Sequence, residues 1–326
     1  MNQTEIAVHS NLDAGFHPQS AGVRWWIYQR ERFPLVGHTP VIAAFSLAAV
    51  GYSILVRGSS SLPSALTIAV AFTCSVLFFL QLRLADEFKD FEEDRLYRPY
   101  RPVPRGLITL RELAFVWVGS LLLQFLSTVW LSARLLPLLV AVWVYQLLMS
   151  KEFFCRDWLK RHPAAYMLSH MVIMPLIFLF ASACDWVRAG YTWPKQGLLW
   201  MMAVNFFVGM VIEIGRKIRA PIDEEHGVET YSLLWGRVAA VLAWLATMAA
   251  SALAAYPAAR SIQFVPIEFV LLPVIVACVF AGVTFLTHNR AGGGKRIEAV
   301  SGVWALLMYL GMGPLPLWLH FYGGRR

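Results

Sequence analysis

The chain has 326 residues, of which 58% are hydrophobic and only 15% charged. That balance excludes a soluble globular domain, which needs more charge and shorter apolar runs. The net charge of +8 needs no nucleic acid to explain it, because the basic residues gather in loops between apolar runs, as they do beside anionic lipid.

The first 20 residues are polar and do not read as a secretory signal. From Val23 to Phe33 the chain mixes Trp25, Trp26 and Tyr28 with Arg24, Arg30 and Arg32. Aromatic rings beside snorkelling arginines fit a segment lying in the membrane interface; an irregular arm is the other reading. Residues 1–37 are therefore taken as an N-terminal arm, and 38–326 as a single transmembrane domain.

Nearly charge-free runs then recur at the length of roughly 20 residues that crosses a bilayer core. They predict nine helical spans: 38–56, 64–83, 113–132, 134–150, 165–184, 196–214, 237–257, 266–287 and 299–320. The predicted fold class is an all-α polytopic membrane protein with its helices around a central cavity. With the N-terminus in the cytoplasm, Lys and Arg total 21 on the cytoplasmic side and 7 outside, a bias that orients the bundle. The four cysteines (Cys74, Cys155, Cys184, Cys278) share no CxxC spacing, which argues against a zinc site or a disulfide framework.

The second span leads into RLADEFKDFEEDRLYRPYRPVPRG. Asp86, Asp90 and Asp94 are spaced i, i+4, i+8, which stacks three carboxylates on one helical face with Glu87 beside them. Like charges at that spacing repel, and a divalent cation removes the penalty. Mg²⁺ favours a few carboxylates plus phosphate oxygens and water. Arg95, Arg98, Arg101 and Arg105 follow, and arginine forks suit phosphate. A solvated helix with internal ion pairs is the alternative.

The sixth span leads into VIEIGRKIRAPIDEEHGVETYSLLWG, with Glu213, Arg216, Lys217, Arg219 and Asp223. Four spans separate this loop from the first, so both lie on one side and can close over one cavity. Glu213 and Lys217 form an i, i+4 pair that could equally be a surface bridge. In the third basic loop, SKEFFCRDWLKRHP, Lys151 lies nearest the membrane and is the best candidate there for a substrate contact. AGGGKR at 291–296 lacks phosphate-loop spacing, and His170, His288 and His320 read as packing histidines.

At these residues the chain resembles the UbiA superfamily of intramembrane prenyltransferases. That family's first motif has the form N-D-x-x-D-x-x-x-D, followed by an arginine-proline segment. Here Asp86 stands at the Asn position, Glu87 at the first Asp, and Asp90 and Asp94 at the others, with RPVPRG after them. The second motif ends in D-x-x-x-G-x-x-T-x-x-x-x-G; Asp223, Gly227 and Gly236 fit, with Thr230 or Tyr231 near the Thr. Arg219 stands where the family has another Asp, so Glu213 is a candidate replacement.

The resemblance implies an isoprenoid diphosphate substrate and Mg²⁺ held by Asp86, Glu87, Asp90, Asp94, Asp223 and Glu213. It also implies diphosphate binding by Arg98, Arg101, Arg105, Lys151, Arg216 and Lys217. The activity so implied is prenyl transfer to an aromatic or lipophilic acceptor. Alternatives are a terpene cyclase of the same superfamily, a phosphoribosyl transferase on the same fold, and a membrane transporter. Transporters more often carry their charges near the bilayer midplane; here the acids sit at span ends.

Overall fold

The computed structural model describes residues 20–264, 266–288 and 290–323. Inside a bilayer no water satisfies backbone groups, so each apolar run closes its hydrogen bonds within itself as a helix. Among the described residues nine helical stretches are long and apolar enough to span, and no strand occurs. The first four spans are α2 (Leu35–Arg57), α3 (Ala65–Lys89), α5 (Leu110–Leu131) and α6 (Leu136–Ser150). The fifth is α8 (Pro163–Met171) continued by α9 (Ile173–Trp186), and the sixth is α10 (Gly197–Arg216). Then come α12 (Arg237–Ser261), α13 (Ile267–Thr287), and α14 (Gly293–Met312) continued by α15 (Pro314–Tyr322). Short helices decorate the loop ends: α1 (Ala21–Arg32), α4 (Phe91–Tyr97), α7 (Arg156–Arg161) and α11 (Tyr231–Trp235).

Two spans are broken, each at a position where the backbone ladder fails. Pro175 has no N–H to bond the Met171 carbonyl, and the chain turns at Val172 between α8 and α9. The last span breaks at Gly313, with Pro314 opening α15, the first-turn position where its missing N–H costs nothing. Gly313 also lies so close to α2 that a Cβ there would meet the Ala48 Cα at 2.3 Å.

One buried cluster runs through the bundle, from Phe45 on α2 past Phe78, Phe178 and Trp244 to Trp304 on α14. Polar side chains tie the helices where lipid provides no hydrophobic drive between them. Gln81 donates to Ser120 and Gln124, and Trp143 donates to the same Gln124 oxygen. At the end of the bundle remote from the acidic loops, Arg57 and Ser53 hold the buried Asp185.

The arm ahead of the first span is helical from Ala21 rather than irregular; residues 1–19 lie outside the described residues. Tyr28 of α1 is buried against Leu84, Val103, Ile108 and Leu113. Arg24 donates to the Leu107 carbonyl and to Glu112, and Arg105 pairs with Glu31 at 2.8 Å. The helix α1 thus clamps the segment that follows the first acidic cluster.

Candidate active site

The second span runs past its expected end at residue 83 to Lys89, so Asp86 and Glu87 sit on an uninterrupted helix. At Asp90 the backbone bends (φ −97°, ψ 6°), and α4 starts anew with Glu92, Glu93 and Asp94 in its first turn, where acids suit the helix dipole. The bend interrupts the helix, but Asp90 N–H still bonds the Asp86 carbonyl and Asp94 N–H the Asp90 carbonyl, so the three aspartates stay in i, i+4 succession.

Each acid has a different environment. Glu87 is 2% exposed and paired with Arg32. Asp94 is 1% exposed, held by Arg98 at 2.8 Å and Arg101 at 2.5 Å. Asp86 has only Arg83, 3.5 Å away, and its side chain is 40% exposed. Burial, reinforced by the Asp86, Asp94 and Glu93 carboxylates against the lowering effect of Lys89, pushes the Asp90 carboxyl up to about 6. Glu93 is held below the usual range by its hydrogen bond from Lys160.

The second cluster supplies cations rather than carboxylates. Both Glu213 oxygens are engaged, one with Arg216 at 2.7 Å and the other with Lys217 at 3.0 Å. Asp223 accepts from the Gly292 backbone N–H at 2.7 Å, tying its loop to the start of α14. Arg219, at the place of the expected aspartate, pairs with Glu298. Thr230 caps α11 by accepting from Leu233 N–H, which gives the motif threonine a structural role.

The two loops meet. Tyr100 donates to Glu225 at 2.6 Å, and Tyr97 lies over Gly227 beside His226. Gly227 has φ +75°, and a Cβ there would fall 2.2 Å from the Tyr97 ring; only glycine satisfies both demands. Deeper in, Tyr166 of α8 bridges the clusters. Its hydroxyl binds Lys89 at 2.7 Å, while Lys217 lies 6.0 Å from its ring centre and 5.4 Å from that of Tyr231. His170 stacks on Tyr166 at 3.9 Å. Asp86 lies within electrostatic range of Arg216, Tyr166 and His170.

Of the expected metal set, then, Asp86 and Asp90 lie one helical turn apart; Asp86 has only its 3.5 Å pair with Arg83, and among the described residues Asp90 has no ion pair. Glu87, Asp94 and Glu213 are each ion-paired, whereas Asp223 accepts only a backbone N–H. Among the described residues no three His, Cys, Asp or Glu side chains form a cage. Two carboxylates suit Mg²⁺, which commonly takes one or two from the protein and the rest from phosphate and water. Of the expected diphosphate ligands, Arg216 and Lys217 border this site. Arg98 and Arg101 are committed to Asp94, Arg105 to Glu31, and Lys151 is exposed at the end of α6.

Sequence reasoning passed over Arg83, Lys89 and Tyr166. Arg83 and Lys89 lie three residues either side of Asp86, a helical spacing that could have marked them. Nothing in the sequence marks Tyr166, whose place depends on the break at Val172.

The architecture is that of known structures. It resembles the apo UbiA homologue from Aeropyrum pernix K1 at 16% identity, over 83% of this chain and 96% of that one, with a TM-score of 0.64. It also resembles a digeranylgeranylglyceryl phosphate synthase, at 12% identity over 84% and 96% of the two chains, with a TM-score of 0.55. A UbiA homologue from Archaeoglobus fulgidus bound to DMAPP and Mg²⁺ matches at 12% identity over 87% and 98%, with a TM-score of 0.54. No curated protein sequence matches. The family profile described as UbiA prenyltransferase matches residues 44–298. This integral, multi-pass membrane protein belongs to the UbiA prenyltransferase family.

Proposed function

We propose that the protein is a Mg²⁺-dependent intramembrane prenyltransferase that cleaves an isoprenoid diphosphate and passes the prenyl group to a lipophilic or aromatic acceptor. The observation that carries this reading is the convergence of two lightly paired carboxylates, Asp86 and Asp90, with the cations Arg216 and Lys217 around Tyr166. A carboxylate pair alone would attract any divalent ion. A carboxylate pair facing fixed cations suits an ion that arrives with an anion, and a diphosphate is such an anion. The DMAPP and Mg²⁺ of the A. fulgidus homologue support the same donor class.

Asp86 and Asp90 would hold the metal, which when bound supplies Lewis-acid stabilisation of the departing diphosphate. Arg83, Arg216 and Lys217 would neutralise its oxygens. Glu87, Asp94 and Glu213 act indirectly, by fixing Arg32, Arg98, Arg101, Arg216 and Lys217. Residues 38–326 work as one unit. The excess of Lys and Arg beside the acidic loops supports a cytoplasmic site and N-terminus.

The test is diphosphate release by the purified protein in lipid nanodiscs, given Mg²⁺ and prenyl diphosphates of increasing length, with and without phenolic or lipid acceptors. Metal-dependent release that requires an acceptor, with a prenylated product, supports transfer. Release with a cyclised hydrocarbon and no acceptor replaces transfer by cyclisation. No release with any donor rejects the reading.

A further inference from the structure

The turn between α6 and α7 is strained. Glu152, Phe153 and Phe154 have φ of +48°, +52° and +60° in succession, a left-handed conformation that residues with a Cβ disfavour. Such strain persists only where the surroundings over-determine it. Here the turn drives Glu152, 4% exposed, under the end of α3. Its carboxylate lies 3.5 Å from Lys89 and 3.2 Å from Arg156. Phe153 wedges edge-on against Tyr145 and His170, and His170 stacks on the Tyr166 whose hydroxyl binds Lys89.

Lys89 follows Asp86 by three residues, a helical neighbour spacing, and its charge acts on both Asp86 and Asp90. Yet among the described residues its ion pair is with Glu152, 63 positions along the chain. An ammonium on Asp86 or Asp90 would occupy the place of a cation.

We propose that Glu152 is a positioning residue. It keeps Lys89 beside Tyr166 and out of ion-pair contact with Asp86 and Asp90, on which its charge still acts at longer range, so that the two carboxylates stay open to a divalent cation. This rests on the metal reading above. The strained turn is the means: a relaxed turn at this point would not carry a carboxylate beneath Lys89.

The experiment is Mn²⁺ binding to the full-length protein in nanodiscs, followed by loss of the free-ion EPR signal, for wild type, E152Q, E152D, K89M and E152Q/K89M. E152Q weakens Mn²⁺ binding about fivefold, as expected for loss of a partly buried ion pair. E152D keeps the charge and recovers most of the affinity, and E152Q/K89M returns to the wild-type value because the rival cation is gone. A purely structural role for Glu152 would not be rescued by removing Lys89, so a double variant as weak as E152Q overturns the proposal. E152Q binding like wild type overturns it as well, and should E152Q fail to fold, E152D binding unlike wild type does the same. A wild type that takes up no Mn²⁺ instead rejects the metal reading itself.

Discussion

Gly227 of the second acidic loop lies beneath the ring of Tyr97 from the first, with room for no more than a hydrogen between them. With the Tyr100–Glu225 hydrogen bond, this contact joins two segments about 130 residues apart in sequence. Asp86 and Asp90 come from one side of the join and Arg216 and Lys217 from the other, so the contact brings the two halves together.

Gly227→Ala should open it. The new methyl group meets the Tyr97 ring and forces a left-handed alanine, together costing roughly 2 kcal/mol. Thermal unfolding in detergent should move to lower temperature, and Tyr97→Ala in the same chain should recover part of the loss. An unchanged transition would mean that the loops are not coupled in this way.

Asp86→Asn and Asp94→Asn should fail differently. Asp86 is half-exposed and has only a 3.5 Å pair with Arg83, so its amide should leave the melting temperature within a degree or two while lowering diphosphate release by about a hundredfold, as for loss of a central electrostatic group. Asp94 is buried between Arg98 and Arg101, and breaking a buried pair costs about 3–5 kcal/mol. Its variant should lose stability first, which circular dichroism on heating would read directly.

Asp90 should trade stability for function. Its folded value, about 6, lies above the usual 3.8, so the folded chain holds this proton more tightly than the unfolded one. Its contribution to stability therefore grows as the pH falls from about 7 to about 4 and is absent above about 7. Without metal, Asp90→Asn should stabilise the protein at pH 7 by roughly 1–3 kcal/mol while abolishing Mn²⁺ binding. At pH 6, metal binding to wild type should release a fraction of a proton, measurable by calorimetry in two buffers of different ionisation enthalpy.

Glu213→Gln separates a metal ligand from a scaffold. Both oxygens are engaged by Arg216 and Lys217, so Mn²⁺ affinity should stay within about twofold while stability falls by about 1–3 kcal/mol. A tenfold loss of affinity would make Glu213 the substitute for the carboxylate absent at Arg219.

The sequence by itself determined the architecture and the family. A bilayer leaves an apolar run of about 20 residues no choice but a helix, so span number follows from local composition, and boundaries erred most where charged residues extended a helix, as at Asp86 on α3 and Lys295 on α14. Charge is scarce in such a chain, so the acidic runs after the second and sixth spans stood out, and their spacing pointed to one family. Which carboxylates stay lightly paired was decided only in the tertiary structure. Glu87 is neutralised by Arg32 across 55 residues, Asp223 is taken by Gly292 across 69, and Lys89 is drawn aside by a glutamate 63 residues on. A carboxylate's availability depends on every cation and N–H that folding brings within a few ångströms, and no local pattern encodes that set.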